Sequence, residues 1–167
     1  MILRDATDDD AEAIAAIYNH VIDESDAIWL DDPVSVDDRR RWLRAQADAG
    51  LPVVVAEVGG VVAGYAAYFP FRAKSGYRLT VEHTILLGPG HRGGGIGRAL
   101  LDALVDRARA ADLAVMVAGC DAGNLGAIAF HERHGFREVA RMPGVGRKRG
   151  RPVDLVLLQR DLEEEPR

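Results

Sequence analysis

Three groups of residues could do chemistry. The first is His91-Arg92-Gly93-Gly94-Gly95-Ile96-Gly97-Arg98-Ala99-Leu100. Successive glycines let a backbone turn its N–H groups toward one point. A helix that starts there adds unpaired amides and the positive end of its dipole. Such a turn suits an anion, most naturally a phosphate or pyrophosphate. It is not a Walker A loop, because Arg98-Ala99 follows Gly97 where Lys and Ser/Thr would be needed. The Rossmann fingerprint fails in both registers, with Arg98 or Leu100 at the third small position. The alternative is a plain flexible turn.

The second group is Thr80-Val81-Glu82-His83-Thr84, just upstream in a β-type run. Side chains alternate along a strand, so Glu82 and His83 point to opposite faces and only one can enter a given cleft. A carboxylate or imidazole there could accept a proton, or could equally sit in a structural ion pair. The third group is the loop Phe71-Arg72-Ala73-Lys74-Ser75-Gly76-Tyr77-Arg78, whose cations could hold a carboxylate or simply be solvated. Other chemistries are absent or weak. His131-Glu132-Arg133-His134 has the wrong spacing for a zinc His-Glu-x-x-His, no Gly-x-Ser-x-Gly elbow occurs, and Cys120 reads as a small apolar filler.

Positioning these groups falls to elements readable from periodicity and breakers. Residues 2–5 are a short strand. Thr7 or Asp8 caps a helix carrying Ala11, Ile14, Ala15, Tyr18 and Ile22 on one face, and Ser35 with Asp38 opens a second helix that runs to Gly50. Residues 53–58 and 61–68 form a hairpin around Gly59-Gly60. A strand over 79–87 leads to the glycine run. Ile96, Ala99, Leu100, Ala103, Leu104 and Ala108 then give a helix. A buried-type strand over 113–118 follows, then a helix over 125–134 ended by Gly135. Strands over 137–142 and 153–158 flank a Gly/Arg-rich loop. The order β-α-α-β-β-β-α-β-α-β-β predicts one mixed α/β domain over residues 1–162, with 163–167 frayed.

The 167 residues suffice for one cored domain, and a formal net charge of −5 gives no bulk attraction to nucleic acid or an anionic membrane. A single cysteine suits a reducing compartment, and the N-terminus reads as neither signal nor span, so a cytoplasmic location is expected.

Arg92-x-x-Gly95-x-Gly97 resembles the pyrophosphate-binding motif of GNAT acetyltransferases. Asn124-x-x-Ala127-x-x-Phe130-x-x-x-His134-Gly135-Phe136 is similar to the later segment of that family. Ile17-Tyr18-Asn19-His20, Ala27-Ile28-Trp29, Thr80-Val81-Glu82-His83, Val115-Met116-Val117-Ala118-Gly119 and Met142-Pro143-x-Val145-Gly146 look like its phosphinothricin and methionine sulfoximine/sulfone branch. The resemblance covers roughly residues 2–162. It implies a GNAT fold, in which a strongly bent mixed sheet carries helices on both faces. It also implies acetyl transfer from acetyl-CoA, as co-substrate, to the α-amine of a small amino-acid analogue of the phosphinothricin or methionine sulfoximine type, in a ternary complex, with no metal and as a homodimer. By resemblance Glu82 is the general base. Trp29, Arg72, Lys74, Ser75, Gly76, Thr80, Glu82 and His83 are the substrate-binding residues. Ile85, Leu86, Leu87, Arg92, Gly93, Gly94, Gly95, Ile96, Gly97, Arg98, Asn124 and Arg133 bind the cofactor. Many family members carry a tyrosine after the Phe130 position to protonate the departing thiolate. His131 stands there, and is expected to be an exposed helix residue in preference to the acid. The basic run Arg147 to Arg151 could be solvated, contact the CoA phosphates or close a subunit interface. Other amines (a polyamine, an aminoglycoside, a protein N-terminus) and a catalytically silent CoA-binding sensor are the competing expectations.

Overall fold

A computed structural model describes residues 1–163. The expected element order is observed: β1 (Ile2–Asp5), α1 (Ala11–Glu24), α2 (Val36–Asp48), β2 (Val53–Val58), β3 (Val61–Pro70), β4 (Thr80–Leu87), α3 (Ile96–Ala110), β5 (Val115–Asp121), α4 (Leu125–Arg133), β6 (Arg137–Lys148) and β7 (Arg151–Asp161). Local chemistry sets several boundaries. The N-cap hydroxyl of Ser35 accepts from the Asp38 N–H at 3.1 Å, and Gly59 and Gly60 turn the β2–β3 hairpin at φ +61° and +82°. At the C-terminal end the Glu163 N–H donates to Asp161 Oδ1 at 3.0 Å; the rest of the expected frayed tail lies outside the described residues.

The strands form one sheet in the order β1-β2-β3-β4-β5-β7-β6. Only β4 and β5 run parallel, joined through α3, and every other pairing is antiparallel. Alternation divides the sheet into two cores. Val81, Met116, Ala118, Val156 and Leu158 face Leu100, Leu101 and Leu104 of α3 and Ile128 of α4. Val53, Val55, Tyr65, Ala67 and Leu86 face Ile14, Ile17 and Val21 of α1 and Leu43 of α2.

The segment expected as a Gly/Arg-rich loop is instead a hairpin. β6 continues to Lys148, and the chain reverses at Arg149 and Gly150, both at positive φ. Arg147 is exposed and donates to the Gly144 and Gly146 carbonyls of its own hairpin, whereas the next three basic residues form a latch. Lys148 is fully buried and donates to the Ile22 carbonyl at 3.0 Å and to the Leu30 carbonyl. Arg149 donates to the Asp23 carbonyl at 2.8 Å, and Arg151 pairs with Asp26 at 3.2 Å. These cations sit at the C-terminal end of α1, where carbonyls lack helical partners and the dipole is negative. Lys148→Ala removes the donor and leaves a void, so it is expected to lower the unfolding free energy by about 2–4 kcal/mol, read from urea denaturation.

Candidate active site

The strand pair β4–β5 separates part-way along its length. It is in register from Thr80↔Val115 to His83↔Ala118 and then stops. β4 continues to Leu87 paired only with β3, and β5 continues to Asp121 paired only with β7. Beyond His83, therefore, one edge of β4 presents backbone groups that no strand satisfies. This edge belongs to Thr84, Ile85, Leu86 and Leu87, and it is the kind of edge an extended ligand can extend.

At the outer end of this opening stands the start of α3. Its N-cap is Gly95 at φ +79°, Gly93 lies at φ +83°, and the first turn carries no acidic side chain. Positive φ at two positions in a three-glycine run is the conformation that turns successive N–H groups to one side. A Cβ on Gly93, Gly94 or Gly95 would meet nothing within 4 Å, so the space in front of these amides is open. Arg92 and Arg98 are exposed beside it, Arg98 within 3.5 Å of Asp102. Ile96 is buried beneath, and Gly97 lies in the wall, where a Cβ would touch Phe130 at 3.6 Å and Leu87 at 3.8 Å. Asn124 is the N-cap of α4, its Oδ1 accepting from Ala127 N–H at 3.1 Å, which leaves its amide N–H₂ available. Arg133, in the last turn of α4, is exposed.

At the inner end sits Glu82, half-buried on the α1/α2 face of the sheet. Among the described residues its carboxylate has no hydrogen-bond or ion-pair partner, so the structural ion pair is not formed. Burial raises its pKa above the ordinary carboxylate value, and the Arg72 charge opposes that shift. Arg72 is exposed, lies 4.2 Å over the Phe71 ring and donates to the Phe71 carbonyl at 3.0 Å. A cavity of about 200 Å³ opens on the same face, lined by Phe71, Tyr77, Thr80, Val115, Val117, Val139, Leu157 and Gln159. Thr80 is two residues from Glu82, and Val117 is its register partner on β5. Lys74, Ser75 and Gly76 form an exposed turn above, leading into Tyr77.

His83 does not face this cavity. It lies on the opposite side of β4, 6% exposed, with its ring 5.1 Å from that of His131 and 5.5 Å from that of Phe136. Among the described residues neither ring nitrogen has a hydrogen-bond partner, and burial pushes its pKa down to about 3, so the ring is neutral. His131 is buried too, contrary to the expectation of an exposed helix residue, because Phe130, Phe136 and His83 close over it. Its Nδ1 lies 2.7 Å from the Ala127 carbonyl and must carry the proton, and burial lowers its pKa. The other nitrogen, Nε2, is then an unprotonated acceptor with no partner among the described residues. Trp29 packs against β6, where a Cβ on Gly146 would overlap its ring. Sequence reasoning placed the loop from Phe71 to Arg78 beside the substrate but missed Val115, Val117, Val139, Leu157 and Gln159 as cavity lining. These come from β5, β6 and β7, and only the sheet order brings them together.

An open sheet edge thus runs from the Glu82 carboxylate toward a glycine turn whose amides face open space. Residues 14–136 match the sequence profile of the acetyltransferase (GNAT) family. The chain belongs to that family. It is 44% identical to the L-amino acid N-acyltransferase MnaT of Escherichia coli, over 98% of this chain and 95% of the relative. It is also 44% identical to the L-methionine sulfoximine/L-methionine sulfone acetyltransferase of Salmonella typhimurium, over 98% and 96%. The solved structure of the acetyltransferase yncA from Salmonella typhimurium, with its cofactor acetyl-CoA, superposes with a TM-score of 0.94 at 43% identity, covering 100% of this chain and 96% of that one. This GNAT protein is an N-acetyltransferase. Its own geometry is compatible with acetyl-CoA: the open turn at Gly93–Gly95 would hold the pyrophosphate, and the edge of β4 left unpaired beyond His83 would meet the pantetheine amides. No cluster of metal-ligating side chains occurs among the described residues, and no helix there is long and apolar enough to cross a membrane.

Proposed function

We propose that the protein acetylates the α-amine of a small amino-acid analogue of the methionine sulfoximine or phosphinothricin type, by direct transfer in a ternary complex with acetyl-CoA. The observation that carries this is the unpartnered, half-buried carboxylate of Glu82 at the point where β4 and β5 part. The thioester supplies the activated acyl carbon. Glu82 takes the proton from the substrate ammonium, directly or through a water, and frees the nitrogen lone pair for attack. His131 offers no stored proton, because its one N–H is committed to the Ala127 carbonyl, so the departing thiolate is protonated by solvent.

The cavity supports the substrate class. About 200 Å³ suits the side chain of one amino acid better than an aminoglycoside or a folded protein terminus. Its walls are mostly apolar, with Gln159, Thr80 and Tyr77 to bond a polar substituent. Arg72, whose charge acts on Glu82, and Lys74, at the start of the turn that carries Tyr77, favour a substrate carboxylate and repel a polyamine. The names of the relatives agree with this reading. Assembly as a homodimer and a cytoplasmic location belong to the same proposal and rest on the family resemblance.

The test is a thiol-release assay with methionine sulfoximine and its decarboxylated amine. A charge-assisted hydrogen bond of about 1.5–3 kcal/mol corresponds to about one to two orders of magnitude of preference for the former. Arg72→Ala should erase most of that preference and leave the slow reaction of the amine nearly unchanged. Because the Arg72 charge holds the Glu82 pKa down, the same variant should also move the acid limb of the rate profile to higher pH. A wild-type preference for the decarboxylated amine would overturn the amino-acid reading.

A further inference from the structure

Gly119 has no local reason to be glycine. It lies inside β5, paired with Leu157 of β7, and its φ is not in the left-handed region that favours glycine. Glycine within a strand normally weakens it, and often marks a close approach by another group. Here the approaching group is identifiable. A Cβ on Gly119 would stand 2.9 Å from Glu82 Oε1, closer than a carbon and a carboxylate oxygen settle, whereas Leu155 at 3.5 Å and Leu157 at 4.0 Å are ordinary contacts. Gly119 is also the first β5 residue past the last β4–β5 pair, His83↔Ala118, so it sits at the apex of the opening. The Glu82 side chain leans across that apex into the space a Cβ would fill.

We propose that Gly119 is a positioning residue: its missing side chain lets the Glu82 carboxylate lie across β5 at the apex of the strand opening, where the substrate amine must be deprotonated. The proposal rests on Glu82 being the base. Any side chain at 119 would push the carboxylate back toward β4, away from the amine, without disturbing the glycine turn at α3. An alanine would also suit strand β5 at least as well as glycine does. The variant should therefore be as stable as the native protein and yet slow. A merely structural glycine would give the reverse.

The experiment uses the full chain and compares wild type, Gly119→Ala, Glu82→Gln and the double variant. Acetyl-CoA affinity is read by calorimetry, thermal midpoints by circular dichroism, and kcat and KM with methionine sulfoximine. Gly119→Ala is expected to lower kcat about 10- to 100-fold, with acetyl-CoA affinity within twofold and a thermal midpoint no lower than wild type. In the Glu82→Gln background the same substitution should cost less than twofold, because no base remains to misplace. A Gly119→Ala variant with wild-type kcat, beside a crippled Glu82→Gln, would overturn the role of Gly119 and leave the base intact. An equal loss from Gly119→Ala in both backgrounds would overturn it too, showing that position 119 acts independently of Glu82. Full activity in Glu82→Gln would overturn the base assignment and this proposal with it. A variant that melts early and loses acetyl-CoA binding would show Gly119 to be structural, and would count against the proposal.

Discussion

Glu82→Gln should lower kcat/KM by about two to four orders of magnitude near neutral pH, with acetyl-CoA affinity unchanged. The substitution keeps the volume and planarity of the side chain and removes only its capacity to accept a proton, and general base catalysis is worth about that much. Stability should suffer little, because the carboxylate has no hydrogen-bond or ion-pair partner among the described residues to lose. The native state in fact spends free energy to hold this group. Burial raises the folded pKa above the unfolded value, so an ionised Glu82 is a net cost at neutral pH that is relieved as pH falls through the folded pKa. The amide should melt at or slightly above the wild-type temperature at pH 7, and the difference should vanish in acid. The acid limb of the wild-type pH–rate profile should lie above the ordinary glutamate pKa and be missing from the variant. Steady-state kinetics and thermal melts across pH read these effects. A Gln variant retaining most of the native rate would shift deprotonation to water alone. His83 could not take over, since it lies on the other face of β4 in the core.

The parts of this protein legible in its sequence are those whose causes are local. Gly59-Gly60 marks the hairpin, Ser35 with Asp38 marks a helix start, and Gly93–Gly97 marks the anion-type turn, because each depends on residues within a few positions of one another. Alternation also placed Glu82 and His83 on opposite faces. What could not be read depends on partners far away in the chain. Lys148 looks like one more cation in a basic loop, yet its acceptors are the carbonyls of Ile22 and Leu30, 126 and 118 residues earlier. His131, a polar residue on a short helix, reads as exposed until the sheet brings His83 against it and Phe136 closes over both. In the sequence Gly119 stands out only as the last residue of the segment Val115 to Gly119. Its meaning appears only when the parallel β4–β5 register sets the Glu82 carboxylate above it. The cavity was hidden for the same reason, since no periodicity announces that Phe71, Val139 and Gln159 will meet.

Gly95→Val should weaken acetyl-CoA binding by about two orders of magnitude while leaving the fold intact. The position sits at φ +79°, where a β-branched residue is strongly disfavoured, so the N-cap must rearrange and the amides it aims will scatter. Losing one or two charge-assisted hydrogen bonds at about 1.5–3 kcal/mol each accounts for the size of the effect. No packing contact is lost or crowded, because a Cβ there meets nothing within 4 Å. Strain alone is separated from binding by a second variant, Gly60→Val. Gly60 has a similar φ of +82° and equally open surroundings, but it lies in the β2–β3 turn, outside the site. Both variants should lose comparable stability in urea, and only Gly95→Val should lose affinity by calorimetry. The space in front of the amides can be probed without strain by Gly94→Ala, whose φ is unremarkable and whose Cβ also meets open space. If the pyrophosphate approaches the backbone there, even one methyl group should measurably weaken binding; if it binds elsewhere, the methyl will be silent. Unchanged affinity in Gly95→Val would remove the turn from the acetyl-CoA site and leave only the open edge of β4 to hold the co-substrate.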